Sequence, residues 1–254
     1  MSAGLVSVAV AVAVLVVVAA VLAARTGLGI ALSRDVVVVT VRATVQLLAV
    51  GAVIKLIFTT PALGPVYVAV MLGAAALTSG RRIATPGATA VAATAIAAGT
   101  ATVAVVVFTS RALPFDARNA VPFTAQIVGG AMTATTLAGL RFRDEVSLQW
   151  DIVEGWLALG ARPPEAVREL GRFSAARALV PALDQTRNVG LVVLPGAFVG
   201  LLLGGATPLQ AGRVQLLVLV GLLAAETVAA LIVTRLVGGA LVAHRPPSVQ
   251  SRTR

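Results

Sequence analysis

The stretch EGWLALGARPPEAVRELGRFSAARALVPALDQTRNVGLVVLPGAFVGLLLGGATPLQAGRVQ, Glu154 to Gln215, decides how this chain is read. Its first half is polar and is punctuated by Glu154, Gly160, Ala161, Pro163, Glu165 and Ala166. Its second half passes Leu179, Pro181, Asp184 and Arg187, then enters an apolar run from Val189 to Leu203. Gly196, Gly200 and Gly204 recur there every four residues, which puts them in one row on a helix. A stretch that joins a charged segment to an apolar span in this way implies a membrane protein with one sizeable polar loop.

The composition agrees. Hydrophobic residues make up 58% of the 254 and charged ones only 12%, about half the charge of a soluble domain. Several uncharged runs reach the roughly 20 residues that a helix needs to cross about 30 Å of hydrocarbon. A transmembrane β-barrel is excluded, because its strands alternate apolar and polar residues and give no such runs. The net charge of +10 comes from basic residues lying between apolar runs, the pattern of the positive-inside rule and not of a nucleic-acid surface. Cysteine is absent and His244 is the only histidine, so no disulfide framework and no Cys/His metal site can form within one chain.

Working outward from the opening stretch, the hydropathy predicts one all-α transmembrane domain over 1–254. Its seven spans are at about 3–24, 35–58, 63–79, 87–108, 121–140, 189–203 and 211–236. The first is longer than the core of a signal peptide and reads as a retained helix. Ser33 is expected to cap the second, with Asp35 in its first turn, and Thr85-Pro86 to start the fourth. Thr207-Pro208-Leu209-Gln210 reads as a capping box before the seventh.

The loop 141–187 holds seven of the ten acidic residues: Asp144, Glu145, Asp151, Glu154, Glu165, Glu169 and Asp184. Within it Val146, Trp150, Val153 and Leu157 recur at helical spacing, so an amphipathic helix is expected before Pro163-Pro164. Such a helix can dock on a partner or lie on lipid. Arg25, Arg34, Arg81, Arg82, the loop and the tail fall on one side, against Arg111 and Arg118, plus Arg213 near an end, on the other. The N-terminus is therefore expected outside and the C-terminus in the cytoplasm.

Charges inside the spans are costly and usually face a cavity or a partner. Arg42 lies about 13 Å past Ser33 along a helix, Glu226 about as far before Arg235, and Pro195 roughly 12 Å past Arg187. An Arg42–Glu226 pair is expected near a helix break at Pro195-Gly196, where the proline would free the Leu191 carbonyl, with Gln46 one turn from Arg42. The alternatives are a purely structural buried pair and an Arg42 that snorkels to the headgroups. The Gly196/Gly200/Gly204 row serves either a dimer interface or packing within one subunit.

Three sets of residues together resemble one family. They are Arg42-x-x-x-Gln46-Leu47-x-x-x-Gly51; then Leu179-x-Pro181-x-x-Asp184-x-x-Arg187-x-Val189-Gly190-Leu191-Val192-x-Leu194-Pro195-Gly196; then Gly200, Gly204, Pro208, Ala211 and Gln215. The chain resembles the Fet-type ABC iron-export permeases, whose plant relatives are linked to aluminium tolerance. The likeness covers nearly the whole chain and is densest between 179 and 215. It departs from the pattern at Arg187, where lysine is usual, at Gly129-Gly130 followed by Met132, and at Phe198, where methionine is common.

The resemblance implies a multi-pass permease subunit of the inner (plasma) membrane, a transport subunit and not an enzyme, with no cofactor of its own. ATP and Mg would sit on a separate cytoplasmic ABC ATPase, and two permease chains would form a homodimer in the lipid bilayer. The absence of a G-x-x-x-x-G-K-[ST] phosphate loop from the sequence agrees. On this reading Glu154, Gly160, Ala161, Pro163 and Glu165 couple to the ATPase. Arg42, Gln46, Met132, Pro195, Gly196 and Glu226 lie along the path of the substrate, a metal ion such as iron. The alternatives are a secondary transporter or channel without an ATPase, and an ABC permease for a non-metal substrate.

Overall fold

The computed structural model describes residues 3–25 and 30–244, with side chains described from 7 to 22 and from 36 to 244. The loop with Gly27 and Gly29, and the tail arginines Arg245, Arg252 and Arg254, lie outside the described residues, as do the side chains of Arg25, Ser33, Arg34 and Asp35. The chain forms two compact units, 1–61 and 62–254.

The first unit pairs α1 (Ala3–Arg25) with α2 (Ile30–Thr59). Helix α2 begins at Ile30, upstream of Ser33. Arg42, Gln46 and Lys55 are exposed on α2, among exposed valines and leucines.

The second unit is built on four long helices: α3 (Gly64–Ile83), α4 (Ala88–Thr109), α5 (Ala117–Leu148) and, after the loop, α11 (Pro208–Ala243). Helix α11 packs on α4 and α5, and α3 packs on both of these. Between α5 and α11 the chain makes α6 (Trp150–Ala158), α7 (Pro163–Ala166), α8 (Arg168–Ala178), α9 (Val180–Asn188) and α10 (Gly196–Leu203).

The interior is built from small residues. Ala92, Ala95, Ala131, Ala138, Ala225 and Ala229 are fully buried, while Val66, Val70, Val105 and Leu216 are exposed. That inversion suits lipid: hydrocarbon gives large apolar side chains no reason to turn inward, so small residues take the helix contacts. Helices α4 and α11 approach closely at Gly99, where a Cβ would lie 2.5 Å from the Ala225 carbonyl oxygen. Among the described residues four helical segments are long and apolar enough to cross a membrane: Val36–Thr59, Pro61–Ile83, Ala88–Thr109 and Pro208–Ala243. Ser7–Leu22 forms a shorter apolar helix.

The structure departs from the sequence reading at three places. Helix α5 does not stop at residue 140. It runs 32 residues to Leu148, about 48 Å at 1.5 Å per residue, longer than the hydrocarbon is thick. No glycine or proline interrupts Arg141–Leu148, and Phe142 and Val146 carry its buried face onward.

The run Val189–Leu203 is not one helix. Residues 189–195 form a tight turn in which the Gly190 N–H donates to the Val193 carbonyl (2.9 Å) and Gly190 takes φ 80°. Helix α10 starts only after Pro195 and has eight residues, about 12 Å against the roughly 30 Å of a bilayer core. Leu191 is not helical, so Pro195 frees no helical carbonyl there.

Helix α4 begins at Ala88, because Ala84 (φ 55°) and Gly87 (φ 77°) both take left-handed conformations. Thr85 therefore does not cap it. The Thr207 capping box forms as read: the Thr207 hydroxyl accepts from the Gln210 N–H (3.3 Å), and Gln210 Oε1 accepts from the Thr207 N–H (3.0 Å). A cap not foreseen holds α5, where Asp116 Oδ1 accepts from the Asn119 N–H (2.9 Å) and lowers that carboxyl's pKa.

Gly99→Ala is expected to cost about 1–3 kcal/mol, since the backbones must part. Gly73→Ala, which meets nothing within 4 Å, should stay within about 0.5 kcal/mol of wild type. Thermal unfolding in one detergent compares them. Asp116→Ala should lower the melting temperature at neutral pH. A depressed folded-state pKa stabilises above the unfolded value and is lost as pH falls through the folded one, so the gap to wild type should close in acid.

Candidate functional site

Two features of the second unit are candidates for a functional site. The first is a recess of about 290 Å³ between α5, the α8–α9 junction and α11. Helix α5 contributes Gln126, Gly129, Gly130 and Thr133; α11 contributes Leu222 and Glu226; Ala178, Pro181, Ala182 and Gln185 close it. Glu226 is half-buried, and its Oε1 lies 2.8 Å from where a Cβ on Gly130 would stand. The missing side chain is what lets the carboxylate rest against α5. Thr133 donates its hydroxyl to the Gly129 carbonyl (3.0 Å), and its oxygen lone pairs stay free to accept.

Of the residues assigned to the substrate path, only Glu226 lines this recess. Met132 is one position from Thr133 but packs against the core instead, and its carbonyl accepts from Thr136 Oγ1 (2.8 Å) and Ser79 Oγ (3.3 Å). Pro195 and Gly196 sit at the start of α10, outside the recess lining. Arg42 and Gln46 belong to the first unit. Gln126, Thr133 and Gln185 were missed. Gln126 and Thr133, seven residues apart, share one helix face, and that polar spacing inside a span was the available signal. Gln185 carried none, being one more polar residue in a polar loop.

The second feature is the chain from α6 to α9. Val146, Val153 and Leu157 turn inward as the spacing predicts, with Val153 fully buried. The opposite side exposes Ile152, Trp156 and Leu159 beside the acidic Asp151 and Glu154. Gly160 takes φ 90° and turns the chain into α7, where Glu165 Oε2 accepts from the Arg162 N–H (3.0 Å) ahead of Pro163.

Helix α8 is pinned to the end of α5. Arg177 pairs with Glu145 (3.3 Å) and lies over the Phe173 ring (4.0 Å), while Arg141 donates to the Arg177 carbonyl. Arg143 reaches back to the Ile83 carbonyl (3.0 Å). Gly171 faces Phe142, and a Cβ there would meet its ring at 3.2 Å. The polar segment is thus packed onto α5 and α11, the helices that line the recess.

The glycine row is not used for packing among the described residues. A Cβ on Gly196 or Gly200 would meet nothing within 4 Å, and Gly204 lies beyond α10 as its C-cap. Ala93, Ala97 and Ala101 on α4 likewise face outward.

Comparison with known proteins gives a consistent family. Residues 5–241 match the family model described as "Uncharacterised protein family (UPF0014)". The UPF0014 membrane protein STAR2 of Oryza sativa subsp. japonica is 37% identical over 198 residues, covering 77% of this chain and 70% of its own. The Arabidopsis thaliana protein ALUMINUM SENSITIVE 3 is 34% identical over 198 residues, 77% and 72% of the two chains. The probable iron export permease protein FetB of Escherichia coli (strain K12) is 32% identical over 208 residues, 80% of each chain. No solved structure matches.

The sequence has no cysteine, so single cysteines can be introduced directly. Gln126→Cys and Gln185→Cys are expected to react with a charged thiosulfonate at least about ten-fold faster than Val105→Cys, because a thiolate forms only where water reaches. Equal rates would mean the recess is dry.

Proposed function

Because the chain belongs to the UPF0014 family of membrane proteins, we propose that it is the membrane-spanning permease subunit of an ABC transporter that exports a metal ion. The family resemblance drawn from the 179–215 motifs is the same one. The finer reading has the chain cross the inner membrane seven times with its C-terminus in the cytoplasm, with residues 1–254 serving as one permease domain and two copies working with two ATPase subunits. The ATPases bind ATP and Mg, and this chain supplies transport and no chemistry of its own. The metal cargo comes from the printed name of the Escherichia coli relative.

One observation carries the proposal: the polar α6–α9 segment is anchored on the same two helices, α5 and α11, that line the recess. An ATPase that grips α6 through Glu154 and the Gly160 turn would move α8 as a body, through Arg177–Glu145 and the Arg141 hydrogen bond. Pro181 and Gln185 follow α8 directly and form one wall of the recess. Rigid-body motion outside the membrane would then reshape the recess within it, as alternating access requires. The α6 sequence WDIVEGWLA has no basic residue, whereas a helix that lies on anionic lipid carries lysine or arginine on its polar face. Docking on protein is therefore favoured over lipid.

Tagged wild-type protein is expected to co-purify a cytoplasmic ATPase with a phosphate loop. Gly160→Pro, which cannot adopt φ 90°, and deletion of 154–165 should each abolish that co-purification while leaving the permease in the membrane. Retention of the ATPase by both variants would refute the coupling role.

A further inference from the structure

We propose that the recess between α5, α9 and α11 binds a hydrated hard divalent cation through the Glu226 carboxylate and the side-chain oxygens of Gln126, Thr133 and Gln185. The inference deepens the permease reading and rests on it for the identity of the cargo as a metal.

The sign of the ligand follows from the walls. Glu226 is the one charged group in the lining, and no arginine or lysine faces the recess from α5, α9 or α11 among the described residues. Among the described residues Glu226 belongs to none of the ion pairs, whose acidic members are Asp144, Glu169, Glu145 and Asp184. A carboxylate held among apolar helices without a counter-ion attracts cations and repels anions.

The hardness of the ligand follows from the donors. Every polar group in the lining offers oxygen. Sulfur is excluded, because the chain has no cysteine and Met132 is turned into the core. His244, the only histidine, sits beyond the end of α11. Oxygen-only sites suit magnesium, manganese and calcium over softer metals.

The hydration follows from size and charge count. The recess of about 290 Å³ is far larger than a bare ion and has room for several waters at roughly 30 Å³ each. No three acidic or histidine ligands converge anywhere among the described residues. One carboxylate with neutral oxygens gives a loose site in which the ion keeps most of its water, and such a site can release its ion as well as take it.

Gln185 lies on the wall that moves with α8 in the coupling scheme. Withdrawing its oxygen would weaken the site at the step where cargo leaves.

The test is a titration of the purified full-length protein with Mn²⁺ alone, read by its electron paramagnetic resonance signal. Wild type is expected to bind one ion per chain saturably. Glu226→Gln should weaken binding at least about ten-fold, and Gln185→Leu a few-fold, since ligand charge dominates affinity in oxygen sites. Gly130→Ala changes no charge but displaces the carboxylate from α5, and is expected to weaken binding as well. Mg²⁺ and Ca²⁺ should compete at concentrations where Na⁺ does not.

Absence of saturable binding by wild type, a Glu226→Gln protein that titrates like wild type, or displacement by Na⁺ as readily as by Mg²⁺ would each overturn the assignment. Gln185→Leu, which leaves the membrane carboxylate in place, keeps the test open if Glu226→Gln fails to fold. A protein that captures its ATPase yet binds no Mn²⁺ would remove the cation site and leave the permease reading standing. One that binds Mn²⁺ but captures no ATPase would do the reverse.

Discussion

Helices α4 and α11 touch backbone to backbone at Gly99 and Ala225, and much of the second unit depends on that contact. A Cβ on Gly99 would sit 2.5 Å from the Ala225 carbonyl oxygen, so no other residue fits without parting the helices. The contact fixes the rotation of α11 about its axis. With Ala225 turned to α4, the next residue, Glu226, points about 100° further round, toward α5, and there Gly130 again lacks a side chain where the carboxylate lies. Two glycines on two helices thus set a charged group at the edge of an apolar bundle. In water the drive to bury large side chains would position such helices. In hydrocarbon that drive is absent, and close packing of small residues takes its place.

The second constraint is continuity. Helix α5 does not end at the polar boundary, because nothing in Arg141–Leu148 breaks it. Its extension gives α8 a rigid partner, joined by the Arg177–Glu145 pair and the buried Phe142–Gly171 contact. An exposed ion pair contributes little to stability, but here it sets which surface of α8 faces α5. A polar segment fixed this way transmits displacement, whereas a flexible loop of the same length would absorb it.

What the sequence revealed and what it hid divide along the range of the interactions involved. The capping box at Thr207–Gln210 was legible because its partners lie three residues apart. The inward face that runs from the end of α5 into α6 was legible because Val146, Val153 and Leu157 follow the helical period. The membrane class was legible from composition alone. The turn at 189–195 was not: six apolar residues read as helix, and only the left-handed Gly190 together with Pro195 turns them into a break. The recess was half legible. Glu226 stood out as a lone carboxylate in a span, but its neighbours Gln126 and Gln185 lie 100 and 41 positions away along the chain, and only the folded arrangement brings them together. Arg42, chosen by depth, belongs to the other compact unit.

In the proposed mechanism, force applied outside the membrane drives a cation through the second unit. Its most direct test is metal flux in proteoliposomes holding the permease, with and without its ATPase. Mn²⁺ is expected to move only when ATPase, Mg²⁺ and hydrolysable ATP are all present, and not with a non-hydrolysable analogue. Equal flux through the permease alone would contradict it and would make the chain a channel or a secondary transporter.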